Sequence, residues 1–147
     1  MDLAFHRSSR HERTADAIVH ALGLVLAAIG SIGLFVAAWP RADRALLLGL
    51  GLYALGLIAM LGCSALYNLS PDGRRKHLYQ RLDHAAIFVM IAGTYTPFTL
   101  LAIGGPWGAG LLAYVWAVAA AGIVVEMSGL RRPEALLTAA YLALGWT

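Results

Sequence analysis

A chain of 147 residues with 60% hydrophobic and 13% charged side chains, and a mean hydropathy of +0.70, is too apolar for a water-soluble domain and reads as a membrane protein. Its net charge is only +3, and no basic run is interleaved with aromatics in a soluble segment, which excludes nucleic acid as a partner. The single Cys63 forms no internal disulfide and, inside an apolar run, is expected to be a small packing residue.

The N-terminal tail, 1–16, carries Arg7, Arg10 and Arg13 ahead of an apolar run, as a secretory signal does. That run extends from Ala17 to Trp39, well past the roughly 7–15 residues of a signal core, so it reads as a retained transmembrane helix. Five apolar segments follow in order, at about 17–39, 45–69, 82–103, 108–127 and 134–147. Each boundary has a breaker: Pro40, then Ser70-Pro71-Asp72-Gly73 with the basic run Arg74–His77, then Gly104-Gly105-Pro106, then Gly129 and Arg131-Arg132-Pro133. The pattern predicts an all-α transmembrane bundle forming a single domain over 1–147, with antiparallel neighbours because the loops are short. The last segment, Glu134–Thr147, is about 21 Å of helix against a core of roughly 30 Å. It is therefore expected to be an incomplete span, and the chain a fragment, an early-terminated product or a cropped piece.

Lys and Arg are distributed unevenly. Nine fall on the side of the N-terminus, in the tail and in the second-to-third and fourth-to-fifth loops; two, Arg41 and Arg44, fall on the other. This bias places the N-terminus in the cytoplasm and the chain in the plasma (inner) membrane. Trp39 and Trp107 then sit together at the outer interface. Small residues suggest where helices touch: Gly23 and Ala27 on the first, Gly49, Gly51, Gly56 and Gly62 on the second, Ala113 and Ala117 on the fourth.

Polar side chains cluster by depth. Asp16 and His20, four apart, share a face at the cytoplasmic start of the first helix, and Ser64 and Asn68 do so at the cytoplasmic end of the second. Asp83 and His84 open the third on the same side. Taken singly, Asp16 also fits a helix cap, His20 a hydrogen-bonded interfacial histidine, Ser64 a hydroxyl bonded to its own backbone, and Asp83 with His84 a second cap. Together, six groups from three helices are expected to form one polar pocket beneath the inner surface. Further along, Pro97 leaves the Gly93 carbonyl without its helical donor and is expected to kink the third helix, with Thr94 and Thr96 satisfying nearby backbone groups.

The stretch Leu82–Phe98, LDHAAIFVMIAGTYTPF, carries a resemblance, supported by Glu12, Ala15-Asp16, His20, Ser64-Ala65-Leu66-Tyr67, Tyr141 and Gly145-Trp146. The chain resembles the hemolysin III family of bacterial membrane proteins, relatives of the adiponectin and progestin receptors and, more remotely, of alkaline ceramidases. The resemblance implies a seven-helix fold, of which about five spans are present, and a zinc site near the cytoplasmic face. In the family that site takes a serine and a histidine from helix two, an acid from helix three and a later pair of histidines. The serine falls on Ser64 and the acid, holding a metal-bound water, on Asp83; these are the candidate catalytic residues. Asn68 stands where the family has its histidine, and an amide is a poor zinc ligand. Asp16, His20 and His84 are the supporting polar groups. Three functions follow as expectations: a cytolytic or lipid-related membrane protein, a zinc-dependent hydrolase of lipid amides or esters, or a receptor-like protein without chemistry. The lipid bilayer is the expected partner in all three, and a lipid the expected substrate in the second.

Overall fold

A computed structural model of the protein describes residues 10–41, 43–71, 73–128 and 134–146, the side chains of 10–12, 74 and 134–137 excepted. The start of the tail (1–9) and the turn with Gly129 and Arg131-Arg132-Pro133 lie outside the described residues. Among those described, the elements are helical: α1 (Arg10–Ala38), α2 (Arg44–Leu69), α3 (Arg74–Phe98), α4 (Gly105–Ser128) and α5 (Glu134–Gly145), with a 3₁₀ turn at Trp39–Arg41 and a π-helical segment at Thr99–Ile103. Four stretches of 24 to 29 residues, Arg13–Arg41, Arg44–Leu69, Arg75–Ile103 and Gly105–Ser128, are long and apolar enough to span a bilayer. The protein is an all-α, multi-pass membrane bundle.

Two helices start earlier than hydropathy suggests. α1 begins at Arg10 and α3 at Arg74, so the basic run read as a loop is helix. Arg and Lys are good helix formers, and hydropathy cannot register a helix that continues past the apolar core. The Lys76 ammonium also lies over the Tyr67 ring of α2, 5.9 Å from its centroid, which ties this extension back to its neighbour. Consequently Asp16 and Asp83 lie inside their helices and cap neither, and His84 follows Asp83 in the third turn of α3. A cap does form on α2, where the Asp43 carboxylate accepts from the Ala45 amide at 3.2 Å.

The helices pack in sequence: α1 on α2, α2 on α3, α3 on α4, with α5 against α3 and α4. The α2–α3 contact is the closest. A Cβ on Gly49 would come 2.8 Å from the Pro97 Cα, one on Gly93 2.8 Å from the Leu52 carbonyl oxygen, and one on Gly56 3.1 Å from the Met90 Cα. Only hydrogen allows backbones this near. Gly62, by contrast, faces open space. On the far side of α3, Phe88, Ala92, Val115, Ala119 and Leu144 form the core, and the Phe88 ring lies over Gly122 and 4.6 Å from the Tyr141 ring centroid. Ala113 and Ala117, expected at an interface, are exposed; the buried stripe of α4 is Gly108, Val115, Ala119 and Glu126. Small size alone does not tell which face of an apolar helix meets protein. Much of α1 faces outward, with Leu22, Val25, Leu26, Ile29, Ile32 and Val36 exposed, as lipid contact requires.

Past Pro97, α3 runs on to Phe98 and then winds into the π turn, closed by Gly104 N–H donating to the Thr99 carbonyl at 3.0 Å. The hydroxyls around the proline bond carbonyls one turn back: Thr94 to Met90 (2.8 Å), Thr96 to Ala92 (2.7 Å) and Thr99 to Tyr95 (2.9 Å). Trp116 of α4 donates its indole N–H to the Thr96 hydroxyl at 3.0 Å, fixing α4 against this segment.

Candidate functional site

α1 and α3 start at one end of the bundle and α2 finishes there, so the six polar residues share that end, called here the Asp83 end. They resolve into two groups. In the first, between α1 and α2, the imidazole of His20 bridges two helices. Its Nδ1 lies 2.7 Å from the Asp16 backbone carbonyl and its Nε2 3.4 Å from the Ser64 Oγ. The Asn68 amide Nδ2 donates to the Ser64 carbonyl at 2.9 Å and reaches the Ser64 Oγ at 3.3 Å. The four-residue spacings put His20 one turn from Asp16, and Asn68 one turn from Ser64. It is the antiparallel packing of α1 on α2 that brings the pairs together. The Asp16 side chain is exposed, and its backbone is what takes part.

Beside this group runs an apolar groove of about 610 Å³ between α1 and α2, lined by Leu24, Ile58, Gly62, Cys63, Leu66 and Pro71 among others. Leu24 lies one turn beyond His20, and Cys63 and Ala65 flank Ser64. The groove lies at the same end of α2 as the polar contact, but His20, Ser64 and Asn68 do not line it.

The second group lies between α3, α4 and α5. His84 Nδ1 is 3.6 Å from the Glu126 Oε1, and the Tyr141 hydroxyl donates to the His84 carbonyl at 3.2 Å. The Glu126 side chain is only 8% exposed, and its Oε1 has no hydrogen-bond partner among the described residues. A carboxyl group near the C-terminus of a helix meets the unfavourable end of the helix dipole, and among the described residues the His84 ring is the basic group it faces. Sequence reasoning passed over Glu126. The signal was present, since it is the one acid in the 108–127 segment, and an ionisable residue within a span marks a buried partner.

Asp83 belongs to neither group by hydrogen bonding among the described residues. It is half-buried on α3, one residue before His84.

The donor set decides how these residues suit zinc. A zinc site is built from imidazole, thiolate and carboxylate donors, usually in a tetrahedron. Here the Asn68 amide is turned to Ser64 through its N–H, His20 is held by the Asp16 carbonyl, and His84 faces Glu126. Among the described residues no three His, Cys, Asp or Glu side chains converge. Ser64, Asn68 and Asp83 as they stand do not fit a zinc ion.

Comparison with known proteins agrees with the fold. The family model described as "Haemolysin-III related" matches residues 8–147. "Hemolysin-3" of Bacillus cereus is 33% identical over 135 residues, covering 92% of this chain and 62% of that protein. "Hemolysin-3 homolog" of Bacillus subtilis (strain 168) is 32% identical over 135 residues, 92% of this chain and 63% of its own length. The chain thus spans somewhat under two thirds of these curated relatives. No solved structure matches it. The match along nearly the whole sequence, on a bundle of apolar helices with the expected polar end, makes this chain a member of the haemolysin-III related family.

Proposed function

We propose that the protein acts on membrane lipid at the Asp83 end of its bundle, with that end facing the cytoplasm from the inner membrane. The observation that carries this reading is an apolar groove open on α2 at the same end of the bundle as the polar residues. An apolar groove close to a polar end of the bundle suits a molecule with a polar head and an acyl tail. Arg75, Lys76 and Arg81 at this end, against Arg41 and Arg44 at the other, support the orientation.

Photo-crosslinking tests the reading. Phospholipid with a diazirine in one acyl chain, incorporated with the protein into vesicles, is expected to label Leu24, Ile58 and Leu66 above the general lipid-facing background. Gly62 has open space around it, so Gly62→Phe fills the groove at little structural cost and should abolish the excess labelling. Labelling spread evenly over α1 and α4, unchanged by Gly62→Phe, contradicts the proposal.

A second reading, permeabilisation of membranes, is favoured by the names of the two Bacillus relatives. The polar groups occupy one end of the bundle while α1 is apolar outward along its length, so a pore through one copy has no lining. Leakage of dye from vesicles should therefore rise more steeply than linearly with protein density. Linear leakage at one copy per vesicle, or none at high density, counts against this reading.

A further inference from the structure

We infer that the groove on α2 holds an anionic phospholipid, its acyl chain along Leu24, Ile58, Gly62 and Leu66 and its phosphate at Arg13 and Arg75. The inference rests on the lipid reading above and narrows it, from membrane lipid in general to a lipid whose headgroup carries net negative charge.

The groove has a direction. Its lining starts at Ile58, within the apolar span of α2, and ends at Ser70 and Pro71, just past the last turn of that helix. Apart from Cys63 and Ser70 the wall is hydrocarbon or glycine, so what lies in it is a hydrocarbon chain. Gly62, with nothing within 4 Å of the place a Cβ would take, keeps the middle open. One end is thus at hydrocarbon depth and the other at the boundary with water, which is how a phospholipid lies in its own leaflet.

The charge at the water end comes from two helices. His20 of α1 meets Ser64 of α2. Seven residues back from the first is Arg13, and seven residues on from the second is Pro71. The helices run antiparallel, so Arg13 stands level with Pro71, about 10 Å nearer the water than the His20–Ser64 contact. Around the axis of α1, Arg13 lies roughly 20° from Leu24, the groove residue of that helix, whereas Asp16 lies roughly 80° from it. Of these two charges it is therefore Arg13 that stands below the groove. On the other side of Pro71 the chain turns at Gly73 into α3, whose first turn carries Arg75. Both arginines are exposed. A guanidinium presents paired N–H donors that match a phosphate. Each basic residue at a membrane surface favours an anionic lipid by about fivefold. A zwitterionic headgroup brings its own cation to the same place and cancels much of that gain.

The test uses the full chain in vesicles of equal parts phosphatidylglycerol and phosphatidylcholine, with an acyl-chain diazirine carried by one lipid or the other. Labelling of Ile58 and Leu66 is expected to be about fivefold higher, or more, from phosphatidylglycerol. The excess should shrink at high salt, which screens exposed arginines. Val124 and Met127, exposed on α4 at the same end, are the reference, where the two lipids should label nearly alike. Arg13→Gln combined with Arg75→Gln should remove the preference in the groove and leave labelling by phosphatidylcholine in place. Equal labelling of the groove by the two lipids in wild type overturns the anionic site and leaves the lipid reading standing. An equal preference at Val124 and Met127 also overturns it, because a diffuse positive surface accounts for that result. A preference that survives the double substitution overturns the contact with these two arginines. Groove labelling no higher than that of α4 by either lipid sinks the lipid reading itself. The wild-type comparison is decisive without either substitution.

Discussion

The two polar groups at the Asp83 end differ in their surroundings, and the difference separates a firm hold from a loose one. His84, Glu126 and Tyr141 abut the best-packed part of the bundle, with Phe88 1% exposed and Leu144 2% exposed nearby. Among the described residues α1 packs on α2 alone of the other α-helices, and His20, Ser64 and Asn68 lie in that contact. A polar side chain locked among core residues can secure a helix. One at a looser, part-exposed contact contributes little to stability. The first group is therefore the firmer anchor of the two.

Substitutions that strike the core should break the anchor first. Phe88→Ala is expected to cost about 3–5 kcal/mol, read as a lower unfolding temperature in detergent, because the ring is almost wholly buried against Gly122 and its loss leaves a void there. Gly49→Val should cost about 1–3 kcal/mol or more by forcing α2 from Pro97, since its Cβ would lie 2.8 Å from backbone. Glu126→Gln keeps the shape and removes the acid that faces His84; a lower unfolding temperature is expected if that contact secures α4. An unchanged unfolding temperature would mean that packing alone holds it. Ser64→Ala should cost less than about 1 kcal/mol, since interhelical hydrogen bonds in membranes are weak. Thr94→Val is expected to change nothing measurable, its hydroxyl being exposed and bonded within its own helix.

The composition and breakers made the helical bundle legible, and the spacings Asp16/His20 and Ser64/Asn68 already named residues that meet between α1 and α2, Asp16 through its backbone. What they could not supply was the division into two groups. Distance between helices depends on which glycines meet backbone, and Gly49 and Gly62 look alike until α3 is placed against one of them. Likewise Asp83 and His84 are adjacent in the chain, but successive helical positions point in different directions, so His84 turns to Glu126 while Asp83 does not. The α3 start at Arg74 was hidden because a basic run outside the bilayer scores as a loop on hydropathy whether or not it is helical.

The account depends most on α1 and α2 presenting His20 to Ser64. Paired cysteines at these two positions, in a Cys63→Ala background, measure that directly through a short bifunctional methanethiosulfonate reagent in vesicles. The 20/64 pair should crosslink within each chain far faster than a 20/83 pair, because among the described residues α1 packs on α2 and not on α3. Equal rates for the two pairs, or no crosslink between 20 and 64, would contradict this packing of α1 on α2.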